Sequence, residues 1–124
     1  MNVVLWIIAS VLAVAFLAAG LMKVTQPRTK LAESGQGWAK DFSDVSVKAI
    51  GLAEVLGALG LVLPGVIGTA TVLVPLAASG LAILMLGAAV THARRSEFPN
   101  IGVAAVLAAL ALFVAVARFG SYTF

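Results

Sequence analysis

The chain has 124 residues, 62% of them apolar and only 10% charged, and its mean hydropathy is +1.13. Soluble domains carry about 25% charged residues because a water-facing surface needs them, so this composition excludes a soluble globular protein. The lack of cysteine excludes disulfides and thiol chemistry of the chain's own, and a single histidine excludes a bis-histidine haem or a His-rich metal site within one protomer.

The first predicted element is a span over residues 3–22, a run without a charge. At about 1.5 Å per residue it crosses a hydrocarbon core of roughly 30 Å. Lys23, Arg28 and Lys30 follow this run rather than precede it, the reverse of a signal peptide, so it reads as a retained helix. Residues 24–48 are polar, with a short interfacial helix predicted near 27–34 and a break at Gly35-Gln36-Gly37. Trp38 and Phe42 suit the headgroup zone, and Ser43 or Asp44 can cap the next helix. From residue 49 to 91 the one charge is Glu54. Pro64-Gly65 predicts a turn that splits this run into spans near 45–63 and 67–92, with Pro75 bending the latter. A short charged turn, His92 to Glu97, leads to a fourth span near 99–118, with Pro99 early in it and Arg118 at its exit. Glu97 is expected to be solvated.

The predicted fold is therefore an all-α membrane protein, an antiparallel four-transmembrane-helix bundle forming a single domain over residues 1–124. Lys23, Arg28, Lys30, Lys40, Lys48, Arg94 and Arg95 fall on the side of the first and third loops, and Arg118 on the other. This bias predicts that those loops are cytoplasmic and both termini outside, in a multi-pass protein of the plasma membrane. The net charge of +3 is thus read as topology, and nucleic acid is not an expected partner.

Glu54 is the most informative residue. An ionised group at a helix centre costs about 2.5–3.5 kcal/mol on translocon scales, so a carboxylate within the span needs a partner, water or a proton. Gly51, Gly57, Ala58 and Gly60 share its surroundings on the helix, a small-residue stripe that lets helices approach and turns Glu54 toward the bundle. Chain direction places Lys23 and His92 at a similar depth. A Lys23–Glu54 pair offsets part of the desolvation, and a histidine beside it can hold or pass a proton. Plainer roles stand beside these: Lys23 snorkelling to headgroups, His92 as a turn residue, Glu54 fixing helix register, and Trp38 as an interface anchor. No phosphate loop, nucleophile elbow or metal spacing is present, so no self-contained catalytic motif is read.

Three segments together resemble the DoxX-like family of small four-helix membrane proteins: Ala19-Gly20-Leu21-Met22-Lys23-Val24, the stretch from Gly51 to Leu61 ending at Pro64, and Gly87-Ala88-Ala89-Val90-Thr91-His92. The family takes its name from a membrane subunit of a thiosulfate:quinone oxidoreductase, and other members are linked to oxidative, thiol or quinone stress. The resemblance implies a redox-linked accessory, at most a subunit of a quinone-linked oxidoreductase, with a quinone or other small lipophilic molecule held near the cytoplasmic leaflet. Lys23, Glu54 and His92 match the family's polar positions, and Trp38 joins them as a candidate ligand contact. Two alternatives remain: a proton-coupled transporter with Glu54 as proton site, and a non-catalytic scaffold for a soluble redox partner. Expected partners are the lipid bilayer, a lipophilic ligand, and a soluble redox protein or further copies of the chain.

Overall fold

The computed structural model describes residues 2–33, 42–120 and 122, and among them every regular element is a helix. The elements are α1 (Asn2–Thr25), α2 (Arg28–Glu33), α3 (Asp44–Ile67), α4 (Leu73–Arg94) and α5 (Phe98–Phe119). All but the six-residue α2 are long and apolar enough to cross a membrane.

Local chemistry sets the ends of each helix. The Thr25 hydroxyl donates to the Leu21 carbonyl at 2.7 Å, and Pro27 stops α1 by restricting the residue before it. The Pro27 carbonyl then accepts the Lys30 and Leu31 amides and opens α2. Leu31 is buried against Val47, with Phe42 and Ile50 around them, so α2 is held on the first turns of α3. Ser43 caps α3, its hydroxyl accepting the Ser46 amide at 3.1 Å.

The turn predicted at Pro64-Gly65 lies further on. Helix α3 runs through Pro64 to Ile67 and stops at Gly68, whose φ of 68° is the left-handed C-cap conformation glycine adopts without strain. The Thr69 amide then closes on the Pro64 carbonyl at 3.2 Å. A proline in the last turn removes one bond, which is too little to end the helix there. Because α4 starts at Leu73, Pro75 sits in its first turn, where no intrahelical N–H bond is due. Pro75 therefore starts this helix rather than bending its interior.

The α4–α5 turn is a Schellman motif. The Glu97 amide donates to the His92 carbonyl at 2.9 Å and the Ser96 amide to the Ala93 carbonyl at 3.2 Å. Ser96 holds the left-handed position with φ 57°, where glycine is usual.

Helix α1 packs most closely on α3, and α4 on α5; α3 and α4 join the two pairs, while α1 and α5 meet over a smaller seam. Each long helix buries one narrow stripe, for α1 Leu5, Ala9, Leu12, Phe16, Gly20 and Lys23. The core takes Leu12 and Phe16 from α1, Leu61 from α3, Leu81 from α4, and Ala111 and Val114 from α5. Outward-facing Val14, Leu56, Ile83 and Val116 are exposed and apolar. A helix that is apolar all round suits hydrocarbon on its outer face.

Candidate functional site

The buried stripe of α3 carries Glu54 among small residues: Val47, Gly51, Glu54, Ala58, Leu61 and Pro64. Glu54 is 2% exposed and Lys23 8%. Lys23 Nζ lies 2.8 Å from Glu54 Oε1, an ion pair. The glycines explain how the two reach each other. A Cβ on Gly20 would stand 2.6 Å from the Gly51 carbonyl oxygen, and one on Gly51 would stand 2.6 Å from Lys23 Cβ. Neither distance admits a methyl group, so α1 and α3 touch backbone to backbone and the last turn of α1 is drawn over Glu54. Further along α3, Gly57 faces Leu81 and Gly60 faces Ala77. The small-residue stripe thus serves two neighbours, and Glu54 stands where α1, α3 and α4 converge. Lys48 adds a second tie, its ammonium donating to the Val24 carbonyl at 3.1 Å near the end of α1.

Lys23 and Glu54 border a cavity of about 560 Å³ between the two helix pairs, within the ordinary range for small-molecule sites. Phe16, Met85, Ala104 and Leu107 give it apolar walls; Thr91, His92 and Asn100 add polar groups. Ala15 of α1 and Asn100 and Val103 of α5 line it and are exposed, as are Ile83 and Gly87 of α4, so the cavity is open to its surroundings, in part between α1 and α5. Lys23, Glu54 and His92, singled out from the sequence, therefore line one cavity. The imidazole is engaged elsewhere than predicted. His92 Nδ1 lies 2.9 Å from Glu97 Oε1, within the α4–α5 turn, rather than on the Lys23–Glu54 pair. Trp38 lies outside the described residues.

Glu97, expected to be solvated, is partly exposed and also paired within the turn. Its side chain is 23% exposed and its Oε1 also lies 3.4 Å from Arg95 Nε. The hydrogen bond from His92, aided by Arg95 and opposed by partial desolvation, holds its carboxyl below the usual glutamate range. The turn explains the contact: a Schellman motif brings the side chains of its third-last helical residue and of the second residue past the cap together, normally as an apolar pair. Here those positions are His92 and Glu97.

Asn100 was missed from the sequence. An amide in the first turn of an otherwise apolar helix is the signal that marks Asn100. The Thr91 hydroxyl donates to the Gly87 carbonyl at 3.0 Å and is committed to its own helix.

A separate polar cluster lies at the far end of the seam. Arg118, 4% exposed, donates to Asn2 Oδ1 at 2.6 Å and to the Tyr122 carbonyl at 3.0 Å. Its guanidinium carbon stands 5.9 Å from the centre of the Trp6 ring, at the outer edge of cation–π range. This cluster ties the start of α1 to the end of α5.

Among known proteins, the model of the DoxX-like family matches residues 7–114. Comparison with curated proteins and with solved structures gives no match. The family match spans nearly all of the four long apolar helices and every described residue of the cavity wall, and on this ground the chain belongs to the DoxX-like family as a multi-pass membrane protein.

Proposed function

We propose that the protein binds a small lipophilic molecule with one polar head, held in the cavity between its helix pairs. The observation that carries this reading is the cavity itself: apolar walls, with an ion pair, an imidazole and an amide at one end. The tail of such a ligand lies against Phe16, Met85 and Leu107, and its head meets Lys23, Glu54 and His92. A quinone has this form, and the family's link to quinone oxidoreduction favours a redox-linked accessory over a transporter. With no cysteine in the chain, the protein stores no electrons on thiols, so oxidation or reduction takes place on the ligand or on a partner.

In the same reading the four long helices form an antiparallel bundle in the plasma membrane as a single domain. The first and third loops are cytoplasmic, as the basic residues there favour. Helix α2 lies along that interface, and both termini are outside. The site then sits near the cytoplasmic leaflet, where a soluble redox partner has access to the head of the ligand.

The test is binding of a benzoquinone with a short alkyl tail to protein in lipid nanodiscs, measured above its partition into empty nanodiscs. Leu107→Trp fills the apolar end of the cavity and is expected to abolish binding while the helical signal is retained. Equal uptake by wild type and Leu107→Trp discs counts against the cavity as the site.

A further inference from the structure

The turn at the mouth of the cavity constrains what kind of head the ligand has. His92 is the one histidine of the chain, and its ring has two nitrogens with different surroundings. Nδ1 faces Glu97 Oε1 at 2.9 Å. A glutamate carboxylate offers only acceptors, so the nitrogen that meets it carries the proton. In the neutral ring the other nitrogen, Nε2, is then left with a lone pair and no hydrogen. Among the described residues no second partner holds His92, and the residue lines the cavity, so Nε2 is the ring nitrogen left for a ligand there. Glu97 is itself held in place by Arg95 and by the hydrogen bond its backbone amide donates to the His92 carbonyl.

We infer that Glu97 is a positioning residue that fixes His92 in its Nδ1–H form, so that Nε2 accepts a hydrogen bond from a hydroxyl-bearing lipophile in the cavity. This rests on the binding reading above and narrows it: the preferred ligand donates a hydrogen bond, as a phenol or hydroquinone does, rather than only accepting one, as a carbonyl or ether does. The same couple of carboxylate and imidazole, with the proton on the nitrogen facing the carboxylate, prepares the other nitrogen to take a hydrogen bond wherever it occurs. Asn100 can give or take a hydrogen bond and does not discriminate. Lys23 only donates and Glu54 only accepts, but the two face each other at 2.8 Å as an ion pair, so the discrimination argued here is the one made by His92, and through it by Glu97.

Two measurements test this. The first compares para-nonylphenol with its O-methyl ether, each measured on protein nanodiscs against protein-free discs at mildly alkaline pH. One neutral hydrogen bond is expected to make the phenol bind about three- to ten-fold tighter. His92→Phe and Glu97→Ala are expected to bring the two probes together by weakening the phenol alone. Equal binding of both probes to wild type overturns the inference and leaves the cavity reading standing. Uptake of neither probe above empty discs overturns both. The second measurement is the nitrogen-15 spectrum of the single imidazole in wild type, which needs no variant to fold. The expected pattern is a protonated Nδ1 and a bare Nε2; a protonated Nε2 in the neutral ring overturns the assignment.

Discussion

Glu54 and Lys23 are each tolerable because the other is present. Removing one partner of a buried ion pair leaves an uncompensated charge and costs roughly 3–5 kcal/mol, whereas replacing both with apolar residues of similar size is often neutral. Glu54→Ala is therefore expected to lower the unfolding midpoint in detergent markedly, and Lys23→Met/Glu54→Leu to restore it. A double variant as unstable as the single one would show that the pair does more than neutralise itself. Glu97 behaves differently because it lies outside the long apolar spans. Its folded carboxyl sits below the ordinary glutamate range, so the contact stabilises the turn above that range. The contribution is lost as pH falls through the lower, folded value. Protection of the Ser96 and Glu97 amides against hydrogen exchange is expected to fall in wild type as pH drops through that value, and in Glu97→Gln to be lower at neutral pH and without that step. Glu54 was legible in the sequence because it stands as the one charge between residues 49 and 91. Glu97 was not, because it sits in a charged hexapeptide that reads like any solvated turn, and Ser96 hides the left-handed position that a glycine would have announced.

The helix contacts turn on two glycines. A methyl group at Gly51 meets Lys23 Cβ and one at Gly20 meets backbone, so neither can be absorbed by a flexible side chain. Gly51→Ala is expected to push α1 from α3, cost about 1–3 kcal/mol as overpacking does, and separate Lys23 from Glu54. Gly102 is the control, since a Cβ there meets open space. Gly102→Ala is expected to match wild type or to gain up to about 1 kcal/mol from helix propensity. Comparable losses in both variants, read from thermal unfolding, would show that backbone flexibility rather than close approach governs these sites. The stripe that signalled this packing was visible in the spacing of Gly51, Gly57, Ala58 and Gly60. The division of the stripe between α1 and α4 was not, because spacing does not say which neighbour a residue meets. The α3–α4 turn was misplaced for a related reason. Pro64-Gly65 carries the stronger local signal, yet what ends the helix is a glycine with the right backbone angle, Gly68.

For the molecule as a whole, the orientation drawn from its basic loops can be tested directly, because the chain has no native cysteine. Cysteines introduced singly at Ser96 and Thr69, both exposed, are expected to react with an impermeant maleimide from opposite sides of the membrane, Ser96→Cys only from the cytoplasm. The four long helices were legible as apolar runs with almost no charge. A pocket was expected between the first three spans, but the wall that α5 gives it through Asn100, Ala104 and Leu107 was not legible, because it arises from the unequal seams between helices, which no single segment encodes. Helices α1 and α5 are tied at one end by Arg118, Asn2 and Trp6, and parted at the other around the cavity. This uneven seam bears on how a ligand would be chosen. A hydrocarbon tail that outgrows the hollow can leave through the parted end and lie among acyl chains, much as it does before binding. Lengthening it then improves partition from water into the bilayer but adds little to the step from bilayer to protein. Measured against ligand already dissolved in lipid, affinity should level off with tail length, leaving discrimination to the few atoms of the head.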